Sequence, residues 1–296
     1  NYLANVFQDD AGKKISAWNE TARQAKETEE AGGGKSPMQP RTPWGKLRAI
    51  ARDYYTIHEH FLNSRFDGQT LSSIREMADR YLTALGYPDG EPRQVKVADK
   101  LIVPVYLEIC QQNGAPAIWV LLASSQEKNE PLLEKHCFDA ERLREDNVFY
   151  ADQLLTENVE EITKRVFFDV LEPPRFLLVI GMNQLALLDR RKWNEKRYLQ
   201  FEITEIFGRR TESTLQAMAV LLHKESLCPD EGQVLLDELD EKSQRSGAGV
   251  SQDLKYALRE SIERLGNEVL EYRRQHPDKV KDELSADELT RECLRY

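Results

Sequence analysis

Apolar residues recur at helical spacing through the first third of the chain, switch to β-branched runs in the middle, and return to helical spacing at the end. Ile15, Trp18, Ala22 and Ala25 mark a first helix within a charge-rich segment that ends at Gly32-Gly33-Gly34. After a Gly- and Pro-rich loop through Pro43, a long helix is expected from about Trp44 to Arg65, with Leu47, Ile50, Ala51, Tyr54, Ile57 and Phe61 on one side. A third, from about Leu71 to Leu85, turns Ile74, Ala78, Tyr81 and Leu82 inward and stops at Gly86. Strands follow at about 94–97, 101–109 and 117–123. Residues 125–156 are charged and lack periodicity, so they read as an irregular insertion with short helical turns. A helix over 159–171 stops at Pro173-Pro174. Residues 176–180 and 184–188 form a hairpin around Gly181-Met182-Asn183, and 197–203 supplies a further strand.

From Thr211 onward the pattern is helical. Leu215, Met218 and Leu222 mark one helix, and Val234, Leu235 and Leu239 a second. After the break Ser246-Gly247-Ala248-Gly249, a stripe from Leu254 through Leu258, Ile262, Leu265 and Val269 to Tyr272 marks a third. This order predicts an α+β fold followed by an all-α helical connector, with no internal repeat. The expected parts are an N-terminal helix and linker (1–43), an α+β domain (44–208) and the connector (209–296).

The stretch LIVPVYLEICQQNGAPAIWVLLAS, residues 101–124, places two apolar runs around Asn113-Gly114, a strong hairpin signal. A strand ending in Pro plus an acid, a polar turn, and a strand bearing Glu-x-Lys form the core of the PD-(D/E)xK nucleases, which this hairpin resembles. Val105 stands where that pattern wants Asp, and Leu121, Leu122 and Ala123 where it wants Glu-x-Lys. The resemblance implies a degenerate PD-(D/E)xK nuclease-like mixed sheet with flanking helices. Neither Val nor Leu offers the oxygen that holds Mg²⁺ against a scissile phosphate, so the expectation is a pseudo-nuclease with no catalytic or metal residues. The rival is a displaced metal site assembled from Asp99, Glu108 and Glu127, although no Lys stands two residues after Glu108.

Residues 175–208, RFLLVIGMNQLALLDRRKWNEKRYLQFEITEIFG, resemble the later strands of the nuclease-like region of type IIG restriction–modification proteins. The ending ELTRECLRY resembles the start of the helical connector into an adenine-specific DNA methyltransferase domain. These methylases of restriction and phage-defence systems move a methyl group from S-adenosylmethionine to the N6 amine of an adenine flipped out of duplex DNA. The family's Asn-Pro-Pro-Tyr/Phe motif does not occur here, since the only Pro-Pro follows Glu172. The resemblance therefore implies a methyltransferase domain, with its S-adenosylmethionine, beyond Tyr296, and no cofactor in this segment. It also implies double-stranded DNA and defence-system subunits as partners. A protein-interaction scaffold with no DNA role is the alternative. The chain begins at Asn1 and stops at Tyr296 within an expected helix, so it reads as a piece of a longer polypeptide.

Charge narrows the DNA question. With 51 acids against 41 bases the net charge is −10, which disfavours a dedicated nucleic-acid clamp and leaves room for a local basic patch. The densest one runs from Asp189 to Arg197, so Arg190, Arg191, Lys192, Lys196 and Arg197, with Arg209 and Arg210 behind them, are the candidate DNA contacts. The bland alternative is a solvated turn with Trp193 packed on the core. Other motifs yield nothing. Gly34-Lys35-Ser36 lacks the earlier Gly of a phosphate loop, with Glu29 in its place. His58 and His60 face different ways on one helix, and His136-Cys137 has no partner ligands. Cys110, Cys137, Cys228 and Cys293 are too scattered for a disulfide framework or zinc site, which fits a reducing cytoplasm. No apolar run reaches the roughly 18–20 residues of a transmembrane helix, so no membrane partner is expected.

Overall fold

The computed structural model describes residues 2–31, 41–63, 68–98, 101–125, 130–139 and 154–245, with Arg264 and Glu271. The stripe from Leu254 to Tyr272, the linker at 246–249, the terminal ELTRECLRY segment, Gly32 to Ser36, Asp99 and Glu127 lie outside the described residues.

Three helices open the chain: α1 (Tyr2–Ala31), α2 (Pro43–Asn63) and α3 (Gly68–Ala84). Strands β1 (Arg93–Ala98) and β2 (Leu101–Val105) pair antiparallel as a separate two-stranded sheet. The main sheet has seven strands: β3 (Leu107–Cys110), β4 (Pro116–Ser124), β5 (His136–Phe138), β6 (Leu154–Asn158), β7 (Phe176–Ile180), β8 (Gln184–Asp189) and β9 (Tyr198–Glu202). They run β6-β5-β4-β7-β8-β9 across the sheet, with β3 on β4. Helix α4 (Val159–Asp169) precedes β7, which pairs parallel to β4, and α5 (Arg190–Trp193) links β8 to β9. After β9 come α6 (Ile203–Arg209), α7 (Glu212–Leu222), α8 (Lys224–Leu227) and a helix at 235–245. The protein is thus α+β, with a mixed sheet and flanking helices.

Local chemistry explains most of these elements. Gly114 takes a positive φ of 83° and donates its N–H to the Gln111 carbonyl at 2.9 Å, closing the β3–β4 hairpin. Asn158 caps α4 by accepting from the Glu161 N–H, while the Glu161 carboxylate accepts from the Asn158 N–H. The two central strands, PAIWVLLAS and FLLVI, read as continuous apolar runs because both sheet faces are covered. One face packs on α2, α3, α6 and α7 through Leu47, Tyr54, Tyr81, Phe207 and Leu215, and the other on α4 and the β1–β2 pair.

Two expectations need correction. The single strand expected over 101–109 breaks at Tyr106, because its first half pairs with β1 and its second with β4. The stretch expected to be irregular contains β5 and β6, so His136 and Cys137 are strand residues instead of loop residues. Residues 1–238 form one compact unit and 239–296 a second, so packing crosses both 43/44 and 208/209.

Helix α1 belongs to the first unit because Trp18 packs at a tilt against His223, with ring centroids 4.7 Å apart, and lies 6.3 Å from Trp44. Gly86, at φ 75°, makes room for that imidazole, since a Cβ there would sit 2.5 Å from Nε2. His223 is buried and its Nδ1 accepts from the Glu225 N–H, so its pKa falls from 6.5 to about 4, chiefly by desolvation. The unfolded chain thus binds a proton that the folded chain refuses. The full stability is present above about pH 6.5 and is lost as pH falls toward 4, by up to about 3 kcal/mol from this residue. Urea unfolding across that window should show the slope, and His223→Asn, which keeps a capping acceptor, should flatten it.

Candidate functional site

The positions that the nuclease pattern would use do converge. Val105, Leu121 and Ala123 are each at most 1 % exposed and share one apolar cluster with Val103, Leu132, Ile162 and Val179. They put hydrocarbon where a metal would need oxygen. Glu108, the described member of the displaced-acid alternative, lies opposite Trp119 in the β3–β4 ladder. Its carboxylate accepts from Trp119 Nε1 at 2.7 Å and pairs with Arg93, whose guanidinium lies 5.8 Å from the indole centroid. Those bonds occupy the group structurally. Among the described residues, no three His, Cys, Asp or Glu side chains gather as metal ligands. A cavity beside Pro104 and Val105, lined also by Arg93, Gln94 and Asp139, holds about 90 Å³. That is well below the roughly 300 Å³ at which small-molecule pockets begin.

The basic run is a built turn, not a loose tail. Asp189 caps α5 by accepting from the Arg191 N–H at 2.9 Å, and Trp193 packs edge-on to Phe167 at 6.2 Å. Behind it lies Arg175, only 12 % exposed, whose guanidinium rests 4.6 Å from the Phe176 ring centroid. It donates to both carboxylate oxygens of Asp237 at 2.6 Å and to Asp189 at 3.2 Å. Arg191 donates to the same Asp237 at 2.9 Å. The Arg175 hydrogen bonds hold the Asp237 carboxyl below its ordinary pKa. This four-residue network ties α5 and the foot of β7 to Asp237 within the 1–238 unit.

The seven candidate cations therefore divide. Arg191 serves the network, Arg197 pairs with Glu195 at 3.0 Å, and Arg209 lies 3.6 Å from Glu205. Lys192 is half-buried beneath the turn. Arg190, Lys196 and Arg210 are exposed, and Lys196 lies within electrostatic reach of Glu160, whose carboxyl it helps to hold below its ordinary pKa. Lys196, at φ 53° in the turn between α5 and β9, and Arg210, at φ 49° at the end of α6, occupy left-handed positions.

Sequence reasoning missed the polar groups at the ends of β4 and β7. Lys135 is 3 % exposed, and burial lowers its pKa against the opposing pull of Glu130 and Glu202. Ser124 and His136 face each other across the β4–β5 ladder. Their Oγ and Nδ1 atoms are buried without hydrogen-bond partners among the described residues. No periodicity or motif marks these residues, because each is single and the strand they border is three residues long. Cys137 beside them is inert, its thiol pushed up to about 12 by burial.

No family model, curated protein or solved structure matches this chain. Nor does any helix among the described residues have the length and apolarity to cross a membrane.

Arg175→Met should cost about 3 kcal/mol in chemical denaturation, because it leaves Asp189 and Asp237 facing each other without their shared cation. Asp237→Asn should cost less, since Arg175 keeps Asp189.

Proposed function

We propose that this chain is the N-terminal, non-cutting part of a bacterial S-adenosylmethionine-dependent DNA adenine methyltransferase from a restriction–modification or phage-defence system. In this reading it positions the methylase on duplex DNA, or on partner subunits, while methyl transfer belongs to a domain outside these 296 residues. The carrying observation is the triplet Val105, Leu121 and Ala123, which supports a nuclease-like scaffold whose metal face has become core. The β4–α4–β7 parallel crossover is compatible with that scaffold. The basic turn supplies the contact: Arg190, Lys196 and Arg210 remain available to phosphate oxygens.

Duplex DNA titrated by fluorescence anisotropy at several salt concentrations tests the reading. The chain should bind with a salt-steep affinity. Arg190→Ala with Lys196→Ala should weaken binding about tenfold and reduce the salt slope by about 2, since each phosphate contact contributes about 0.9. Arg197→Ala with Arg209→Ala should do less, because both already have acidic partners. Binding that ignores both salt and these changes would remove the DNA role. Plasmid incubated with Mg²⁺ or Mn²⁺ should stay intact. Cleavage lost on Glu108→Ala would overturn the non-cutting scaffold.

A further inference from the structure

Two cysteines that stand 118 positions apart in the sequence meet in the fold. The Cys228 Sγ lies 3.9 Å from the carbonyl oxygen of Cys110, so one sulfur rests against the backbone that carries the other. Both thiols are free. Cys110 is exposed at the end of β3, where the register against β4 shifts. Cys228 is buried and ends α8. The two chain segments are already joined: Gln112, in the hairpin turn, donates its Nε2 to the Asp230 carbonyl at 2.9 Å, and Lys224 Nζ pairs with the Asp230 carboxylate at 2.9 Å. Neither sulfur is fixed inside a helix or a regular ladder. Rotation about Cα–Cβ swings the Cys110 Sγ around the backbone that Cys228 touches. Residues 229–234 have neither helix nor strand, so the Cys228 side can follow.

We propose that Cys110 and Cys228 are a redox-sensitive pair that closes to a disulfide, clamping the β3–β4 hairpin to the end of α8. The oxidant is a small-molecule disulfide of the glutathione class. The Cys110 thiolate attacks one sulfur of that disulfide and releases one small thiol. The Cys228 thiolate then attacks the Cys110 sulfur of the mixed disulfide, which forms the Sγ–Sγ bond and releases the second small thiol. Two electrons pass from the protein sulfurs to the small disulfide, and the two protons end on the released thiols. Access sets the order, since among the described cysteines only Cys110 is exposed. Burial pushes both thiols up, with Glu108 beside Cys110 and Asp230 beside Cys228 adding to it and Arg93 and Lys224 opposing, so the exchange quickens as pH rises. The clamp does not depend on DNA binding.

Thiol counting and non-reducing peptide mapping of the 296-residue chain test it, with glutathione disulfide as the probe. Cys293→Ser keeps that cysteine, outside the described residues, from competing. Two of the three remaining thiols should be lost, in one linked pair of peptides containing Cys110 and Cys228, and dithiothreitol should restore both. Oxidation should raise the thermal unfolding midpoint by about 5 °C or more, because the bridge closes a long loop of the unfolded chain. Cys228→Ser should stop the reaction at a glutathione adduct on Cys110 and abolish that rise. A chain in which both thiols stay reduced overturns the proposal. So does a Cys110 adduct beside a free Cys228, a link found only between two chains, or a link that leaves the midpoint unchanged. Those readings come from the Cys293→Ser chain and stand whether or not Cys228→Ser folds.

Discussion

The parallel ladder between β4 and β7 sets Trp119 against Leu177 and Leu121 against Val179, with helices over one face and α4 with the β1–β2 pair over the other. A strand pair covered on both sides must be apolar at every position, since no side chain reaches water. That constraint reaches from sequence to chemistry. It requires the run FLLVI, the crossover helix α4, and hydrocarbon at 121 and 123. A carboxylate placed at Leu121 would meet Ile162 and Val179 instead of a solvated cation, and an isolated buried charge is far costlier than the packing it replaces. The absence of an oxygen ligand here is therefore tied to the whole core, and no single substitution would create a metal face.

How much of this was legible follows from the range of each interaction. Asn113-Gly114, Pro173-Pro174 and the helical stripes of α2 and α3 act within a few residues, and the elements they announce are present. The break at Tyr106 was not legible: Leu101 to Val105 and Leu107 to Cys110 carry the same apolar character, and only their partners differ. Nor was β5, whose three residues become a strand because Ala123 and Ser124 lie beside them. The hold of Arg175 on Asp237 spans 62 positions, and no local pattern points from one to the other. Trp18 is an intermediate case. Its place in a helical stripe was legible, but its partner was not: it packs against His223, 205 positions away, and fixes α1 to the unit.

The basic run shows why charge density is a poor guide to charge availability. Seven cations within 21 residues suggest a phosphate grip, but Asp237, Glu195 and Glu205 answer three of them. Exposed pairs such as Arg197 with Glu195 contribute little to stability. Their effect is on binding, because an arginine with an acid beside it must leave that acid facing any phosphate it meets. The Arg175–Asp189–Asp237 cluster differs because it is half-withdrawn from solvent, stacked on Phe176 and bidentate, which makes it a joint.

These features place rigidity and accessibility in different parts of one sheet. Its centre is buried, and its β8–β9 side carries the exposed cations at Arg190 and Lys196. Three exposed cations could contribute only a weak, salt-sensitive hold on a duplex. A weak hold becomes useful when something else supplies a second one, because linked contacts multiply rather than add. The proposed positioning role beside a base-flipping domain would need no more than that: a stiff body and a modest grip, since a second tight-binding surface would slow release.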